Sequence, residues 1–402
     1  VNSLDAQGVM DVEQRRLAGV YEKLPLVITR GKGAVLWDID GREYVDCMGA
    51  YGVGVVGHCH PRIVAAVKEQ AERLIACHGS IYNDARAEFL EKLFKVAPRF
   101  DKAFLSNSGA EAVECALKLA RKYTGKPEVI AMMGSYHGKT MGALSLTWNP
   151  KYRDPFQPLL PEVKFVPFGN IEKLRESLTE KTAAVIAEPI QGESGVRMPP
   201  EGYIKALRET CDEKEVLLIF DEVQTGLGRT GRMWASEHVG GGAAPDIMCL
   251  AKGVAGGLPL GVTLAREEVM ASLGKGEHSS TFGGNPLVCA AASATLDVIQ
   301  EENLPKRASE LGGLFKEGLQ RLQQKYRVVR EIRGLGLMLA MDLRFNVKDV
   351  LLEAVNRGAI FLYSGRTTLR FLPPLVIEKQ QVDFANQVLD ELLAKEEGKM
   401  VS

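Results

Sequence analysis

The chain reads as an α/β protein with a mostly parallel, doubly wound central sheet and a smaller α+β domain built from its two ends. Three observations support this. Apolar strand-like runs recur at residues 103–105, 129–132, 163–166, 183–187, 216–220, 247–251 and 261–265. Helical patterns such as 110–123 and 204–211 separate most of them, and strand alternating with helix is the signature of parallel sheets wound on both faces. Several runs, above all 216–220, lack polar alternation, as strands buried on both sides do.

Before residue 50 the pattern changes. Residues 34–46 read as two short strands around the Asp40-Gly41 turn, a hairpin outside the main sheet. After Pro286 a helix-like run to about residue 302 leads into a charged helix at 306–325, strands at 328–333 and 336–342, and a closing helix over 378–395. The expected division is therefore a large domain over 51–295 and a small one from 1–50 and 296–402. A chain of 402 residues with 46% hydrophobic content can bury a core in each.

Composition narrows the partners. Fifty basic against fifty-one acidic residues give no net field for nucleic acid or an anionic membrane, and no window is apolar enough to span a bilayer. Seven scattered cysteines without Cys-x-x-Cys spacing suit a reducing cytosol rather than a disulfide framework. The first thirty residues are charged and lack the apolar stretch of a secretion signal. A cytoplasmic protein with small or specific partners is expected.

Two runs end in chemistry. Residues 216–220 lead into Asp221, and 247–251 lead into Lys252, which would place a carboxylate and an amine at strand C-termini, where open α/β sheets hold ligands. Such a pair suits pyridoxal phosphate, which needs an amine to bond its aldehyde and an anion beside its pyridine nitrogen. A buried structural Asp–Lys pair is the other reading. Ser106-Asn107-Ser108-Gly109-Ala110-Glu111 follows a strand and opens a helix. It is either an anion site at the helix N-terminus or an ordinary serine cap with glutamate in the first turn.

Other motifs lose weight on spacing. Gly138-Lys139-Thr140 suggests a nucleotide loop, but only three residues separate Gly134 from Gly138, where a Walker A loop has four. Gly334-Leu335-Gly336 lacks a dinucleotide fingerprint and reads as a turn into the next strand. His58-Cys59-His60-Pro61 has no further ligand at a finger-like distance, so a tight turn with satisfied imidazoles before a helix at Pro61 is preferred over a metal site.

Taken in order, Gly-His-Cys-His-Pro (57–61), Ser-Asn-Ser-Gly-Ala-Glu-Ala (106–112), Ser-Tyr-His-Gly-Lys-Thr (135–140), Ala-Glu-Pro-Ile-Gln-Gly-Glu (187–193), Phe-Asp-Glu-Val-Gln-Thr-Gly (220–226), Ala-Lys-Gly (251–253), Ser-Thr-Phe-Gly-Gly-Asn-Pro (280–286) and Leu-Arg-Phe-Leu-Pro-Pro-Leu (369–375) resemble the class III pyridoxal phosphate aminotransferases. The resemblance spans nearly the whole chain. Within the class it points to the acetylornithine, ornithine and carrier-protein-linked lysine aminotransferases, with residues 138–148 most similar to the last.

The resemblance implies the fold of type I pyridoxal phosphate enzymes and a homodimer. It implies that Lys252 bonds the cofactor and moves the substrate proton, while Asp221 faces the pyridine nitrogen. Tyr136 and Val223 would flank the ring, Gln224 would reach its phenolic oxygen, and Glu188 would belong to the same cofactor shell. Ser108, Gly109 and Ala110 would hold the phosphate, joined by Thr281 of the second subunit. Arg370 would grip the α-carboxylate of glutamate or 2-oxoglutarate, and Glu193 would neutralise it when the ω-amine substrate is bound. Tyr51, Lys139 and Ser280 would face the rest of the substrate, Lys139 standing where the acetylornithine and ornithine enzymes usually carry arginine. The implied reaction moves an amino group between glutamate and the terminal semialdehyde of a blocked lysine- or ornithine-like substrate, with an acidic amino-group carrier protein as a possible second partner. A catabolic ornithine or 4-aminobutyrate enzyme is the alternative.

Overall fold

The computed structural model describes residues 4–239 and 243–401. In chain order its strands are β1 (Ile28–Lys32), β2 (Val35–Asp38), β3 (Glu43–Asp46), β4 (Lys102–Ser106), β5 (Glu128–Met132), β6 (Val163–Val166), β7 (Thr182–Ala187), β8 (Leu217–Asp221), β9 (Ile247–Leu250), β10 (Gly261–Ala265), β11 (Val329–Leu335), β12 (Met338–Leu343), β13 (Ala359–Ile360), β14 (Leu362–Ser364) and β15 (Thr368–Phe371).

The central sheet has seven strands in the order β4-β10-β9-β8-β7-β5-β6. The pairs from β9 through β6 are parallel, and only β10 runs against its neighbours. The expected doubly wound α/β sheet is thus found, with every expected strand within two residues of its predicted bounds. Strands β5, β7, β8, β9 and β10 are buried along their full length. Period-two alternation then divides β8 between two cores. Leu217 and Ile219 pack with the helix Gly109–Thr124, whereas Leu218 and Phe220 pack with the helix Tyr203–Glu213 on the opposite face. Because β4, β5, β7, β8 and β9 all point one way, the loops after Ser106, Met132, Ala187, Asp221 and Leu250 emerge at a single edge.

Two smaller sheets flank this layer. The first, β1-β2-β3-β13, joins the two ends of the chain through a parallel pairing of Ala359 with Val45. The second is antiparallel, β11-β12-β15-β14, and sets Arg370 opposite both Ala340 and Leu362. The helix Leu304–Lys325 crosses its hairpin so closely that a Cβ on Gly312 would lie 2.1 Å from the Gly336 carbonyl oxygen.

Several expectations need correction here. Gly336 does not begin a strand; at φ 58° it makes the turn between β11 and β12, while Gly334 pairs with Leu339 inside β11. Strands β1, β13, β14 and β15 and the helix Lys348–Asn356 were not anticipated. The residues of β1 are largely exposed and carry no apolar run, and β13 and β14 have two and three residues, too few for a periodic signal.

Candidate active site

The loops at the sheet's C-terminal edge enclose a cavity of about 400 Å³. Its wall includes Ser108, Gly109, Ala110, Tyr136, Lys139, Glu188, Glu193, Asp221, Val223, Gln224 and Lys252. These eleven residues, spread between positions 108 and 252, meet because parallel strands deliver them to one edge.

Asp221 ends β8 and is fixed on both oxygens. Its Oδ1 accepts the Val223 backbone N–H at 3.0 Å, and its Oδ2 lies 2.7 Å from Nδ1 of His137. The imidazole is wholly buried, and the His137 backbone N–H is held by Thr147 Oγ1 at 2.9 Å. No expectation had been attached to His137. Position inside a recognisable motif was the only available signal, because the partner lies 84 residues away.

Lys252 opens a short 3₁₀ turn with φ 43°, a left-handed conformation that costs a lysine about 1–3 kcal/mol and is retained where the surroundings impose it. Its amine makes no hydrogen bond or ion pair with any described residue. Burial lowers its pKa, opposed chiefly by the Glu193 carboxylate, so the amine is held closer to its neutral, nucleophilic form. Burial pushes Glu188 up to about 7, with His137 opposing and Asp221 adding to the shift. The Glu188 carboxyl accepts the backbone N–H groups of Tyr136 at 2.9 Å and Gly192 at 3.0 Å, tying together two walls of the cavity.

At the helix Gly109–Thr124, Ser108 caps through its hydroxyl, which accepts the Glu111 N–H at 3.2 Å. Glu111 in turn accepts the Asn107 N–H at 2.8 Å. The serine cap does not exclude an anion site, since Gly109 and Ala110 in the first turn both line the cavity. A Cβ on Gly109 would meet Val223 at 2.9 Å, and one on Gly138 would meet Ala110 at 2.7 Å, so both glycines keep this cradle open. The rival nucleotide loop has no such opening: Glu114 already accepts from Thr140 Oγ1 and from the N–H groups of Gly142 and Ala143.

Arg370 is fully buried and donates to the Gly192 carbonyl at 2.9 Å, the Tyr363 carbonyl at 3.3 Å and Glu193 Oε1 at 3.1 Å. Burial pushes the Glu193 carboxyl up, but Arg370 and Lys252 outweigh it and hold the pKa below its usual value. Lys139 stands at the outer wall with its ammonium 4.3 Å from the ring centroid of Tyr152.

Four expected residues lie outside the cavity wall: Arg370, which is buried behind Glu193, and Tyr51, Ser280 and Thr281. Tyr51, at φ 59° and 47% exposed, lines an adjoining groove, although burial and the Glu193 charge both raise its phenol pKa. Ser280 accepts from Asn107 Nδ2 at 3.2 Å and from the Gly283 N–H at 3.0 Å, behind the wall. Thr281 is exposed on the chain's surface. The imidazoles of residues 57–61 separate, His58 pairing with Asp46 at 2.6 Å and His60 with Glu302 at 3.1 Å, just before the helix that begins at Pro61.

An unpartnered buried amine, a fixed carboxylate across the cavity and a glycine-lined helix N-terminus form a donor set that fits pyridoxal phosphate.

The family model for class III aminotransferases matches residues 17–393. The chain is 47% identical over 393 residues to the acetylornithine aminotransferase of Methanopyrus kandleri, covering 97% of this chain and 99% of that protein. It is 42% identical over 388 residues to the [LysW]-aminoadipate semialdehyde/glutamate semialdehyde transaminase of Sulfolobus acidocaldarius, covering 96% and 100%. A structure of the ornithine aminotransferase from Toxoplasma gondii with PLP in partial occupancy at its active site superposes with a TM-score of 0.95 at 35% identity, covering 99% of this chain and 96% of that one.

Replacing Lys252 by alanine removes the fully buried amine of the pocket and leaves Lys139, whose ammonium rests on the Tyr152 ring. We expect the holoprotein to lose the visible absorbance of a covalently held cofactor and its turnover to fall by at least ~10⁴-fold, while the fold is retained. Wild-type absorbance and rate in that variant would assign the chemistry to another group.

Proposed function

Since the chain belongs to the class III aminotransferases, we propose that this pyridoxal phosphate enzyme moves an amino group between glutamate/2-oxoglutarate and the terminal semialdehyde of a blocked lysine- or ornithine-like substrate. The observation that carries this reading is the pair formed by the buried Arg370 and the partly buried Glu193, whose charges both act on Lys252. A guanidinium with a detachable internal carboxylate suits two substrates of different charge at one end. Glutamate brings a carboxylate to displace Glu193, and an ω-amine substrate brings none and leaves the pair closed.

When bound, pyridoxal phosphate supplies an aldehyde that exchanges amino groups and a ring that takes up the electrons of the deprotonated substrate carbon. The chain's residues do the rest. The N–H groups of Gly109 and Ala110, with Ser108, bind the phosphate at the helix N-terminus. Asp221, oriented by His137, holds a proton at the pyridine nitrogen. Tyr136 and Val223 would hold the cofactor ring and Gln224 its phenolic oxygen, while Glu188 braces the walls of the cavity. Lys252, its pKa lowered by burial, would take and return the proton on the substrate's amine-bearing carbon.

The blocked substrate is supported by relatives at 42–47% identity named for acetylornithine and for LysW-linked semialdehydes. A catabolic ornithine enzyme is the second reading, supported by the 35% identical Toxoplasma structure. Lys139 favours the first. A lysine offers the substrate's distal carboxylate a point charge without arginine's planar fork, a looser grip that a donor tethered to an acidic carrier protein offsets through contacts outside the pocket. A homodimer completes the reading, with Thr281 of a second copy reaching the phosphate and Ser280 and Tyr51 at the substrate's margin.

Steady-state comparison of N-acetylornithine, ornithine, 4-aminobutyrate and carrier-linked lysine as donors to 2-oxoglutarate tests the substrate. Carrier-linked lysine is expected to show the lowest KM and 4-aminobutyrate the highest; saturation by free ornithine at the lowest concentration would favour the catabolic reading. Arg370→Lys separates the half-reactions. It should weaken the glutamate half-reaction about 10- to 100-fold through loss of a charged bidentate contact, and the ω-amine half-reaction much less. Equal losses in single-turnover spectra would remove the exchange role assigned to Glu193.

A further inference from the structure

Behind the Tyr136 ring a second chamber of about 480 Å³ adjoins the cofactor cavity and shares Tyr136 and Glu193 with it. Tyr152 lines this second chamber. It belongs to the short helix Pro150–Arg153, where its backbone N–H bonds the Asn149 carbonyl at 3.0 Å, so its position is set by a capped turn. One ring face carries the Lys139 ammonium at 4.3 Å, and the ring meets Tyr136 edge-on with centroids 6.1 Å apart. The Tyr152 hydroxyl makes no hydrogen bond with any described residue.

The charges around this chamber are unbalanced. Its wall holds Lys151, Lys139 stands beside it, and its single carboxylate, Glu193, is already bonded to Arg370 at 3.1 Å. A substrate whose distal carboxylate approaches Lys139 brings its α-nitrogen into the same space. A free α-ammonium there would meet two lysines and an aromatic face already taken by a cation, while the nearby Glu22 carboxylate stands outside the wall, 3.2 Å from the Tyr363 hydroxyl. A neutral amide meets no such opposition and finds an unpartnered O–H. Burial raises the phenol pKa, and the Glu193 charge adds to the shift, so this O–H stays protonated at neutral pH.

We propose that Tyr152 is the specificity-determining residue for the α-substituent: its ring steadies Lys139 over the substrate's carboxylate, and its hydroxyl hydrogen-bonds the amide of an α-N-acylated diamino acid. The proposal rests on the aminotransferase reading and adds the residue that distinguishes blocked from free substrate.

The test uses the holoenzyme and its Tyr152→Phe and Tyr152→Leu variants, comparing N-acetylornithine with ornithine as donors to 2-oxoglutarate. Wild type should prefer the acylated donor. Tyr152→Phe keeps the ring and should raise KM for N-acetylornithine about five- to ten-fold with kcat held, the size expected for one lost hydrogen bond, while KM for ornithine changes little. Tyr152→Leu, which also frees Lys139, should raise KM for both donors and abolish the preference. Unchanged discrimination in Tyr152→Phe, with wild type still converted by glutamate, overturns this assignment alone. A wild-type holoenzyme that glutamate does not convert overturns the aminotransferase reading together with it.

Discussion

The structure turns on one carboxylate held at the end of a buried strand. Both oxygens of Asp221 are satisfied there, one by the Val223 backbone and the other by a fully enclosed imidazole. The register of β8 and β9 sets Asp221 beside Cys249, so the chain needs only the short extension through Ala251 to bring Lys252 across the cavity. Sheet register, and not the local chemistry of either loop, decides the distance between the two groups. A one-residue slip of β8 would turn Asp221 to the other face of the sheet and part it from Lys252.

The second constraint is the anchoring of the loop after β7. Gln191 Nε2 bonds the Met133 carbonyl at 3.0 Å, Arg333 bonds the Gly195 carbonyl at 2.7 Å, Arg370 bonds the Gly192 carbonyl, and Ser364 bonds the Glu193 carbonyl. These contacts tie the loop to the central sheet on one side and to β11, β14 and β15 on the other. The backbone that carries Glu193 is thereby fixed from both sides. The small antiparallel sheet therefore has a direct part in the site, since it fixes the arginine and the backbone beside its counterion together.

The sequence made the central sheet legible for a physical reason. Strands buried on both faces are apolar throughout, and a polar residue that ends one, such as Asp221 or Lys252, stands out against that background. The flanking sheets were less visible because β1 is exposed and β13 and β14 are too short to show a period. His137 was hidden because its role comes from a contact 84 residues distant, which no spacing rule encodes. Arg370 and Glu193 were reached through resemblance; no local pattern announces that a strand residue and a loop residue 177 positions apart will pair. Tyr51, Ser280 and Thr281 also came from resemblance, and a single chain leaves them outside the cavity wall.

The most direct measurement is the rate at which Asp221→Asn holoenzyme exchanges the α-hydrogen of glutamate with deuterated solvent, compared with wild type. An amide in place of the carboxylate keeps the contact with Val223 but removes the charge that holds a proton at the pyridine nitrogen. If the His137-braced carboxylate at the end of β8 powers the chemistry, exchange slows by ~10²–10⁴-fold or more while cofactor remains bound. Exchange at the wild-type rate in a variant that retains cofactor would contradict that role for Asp221.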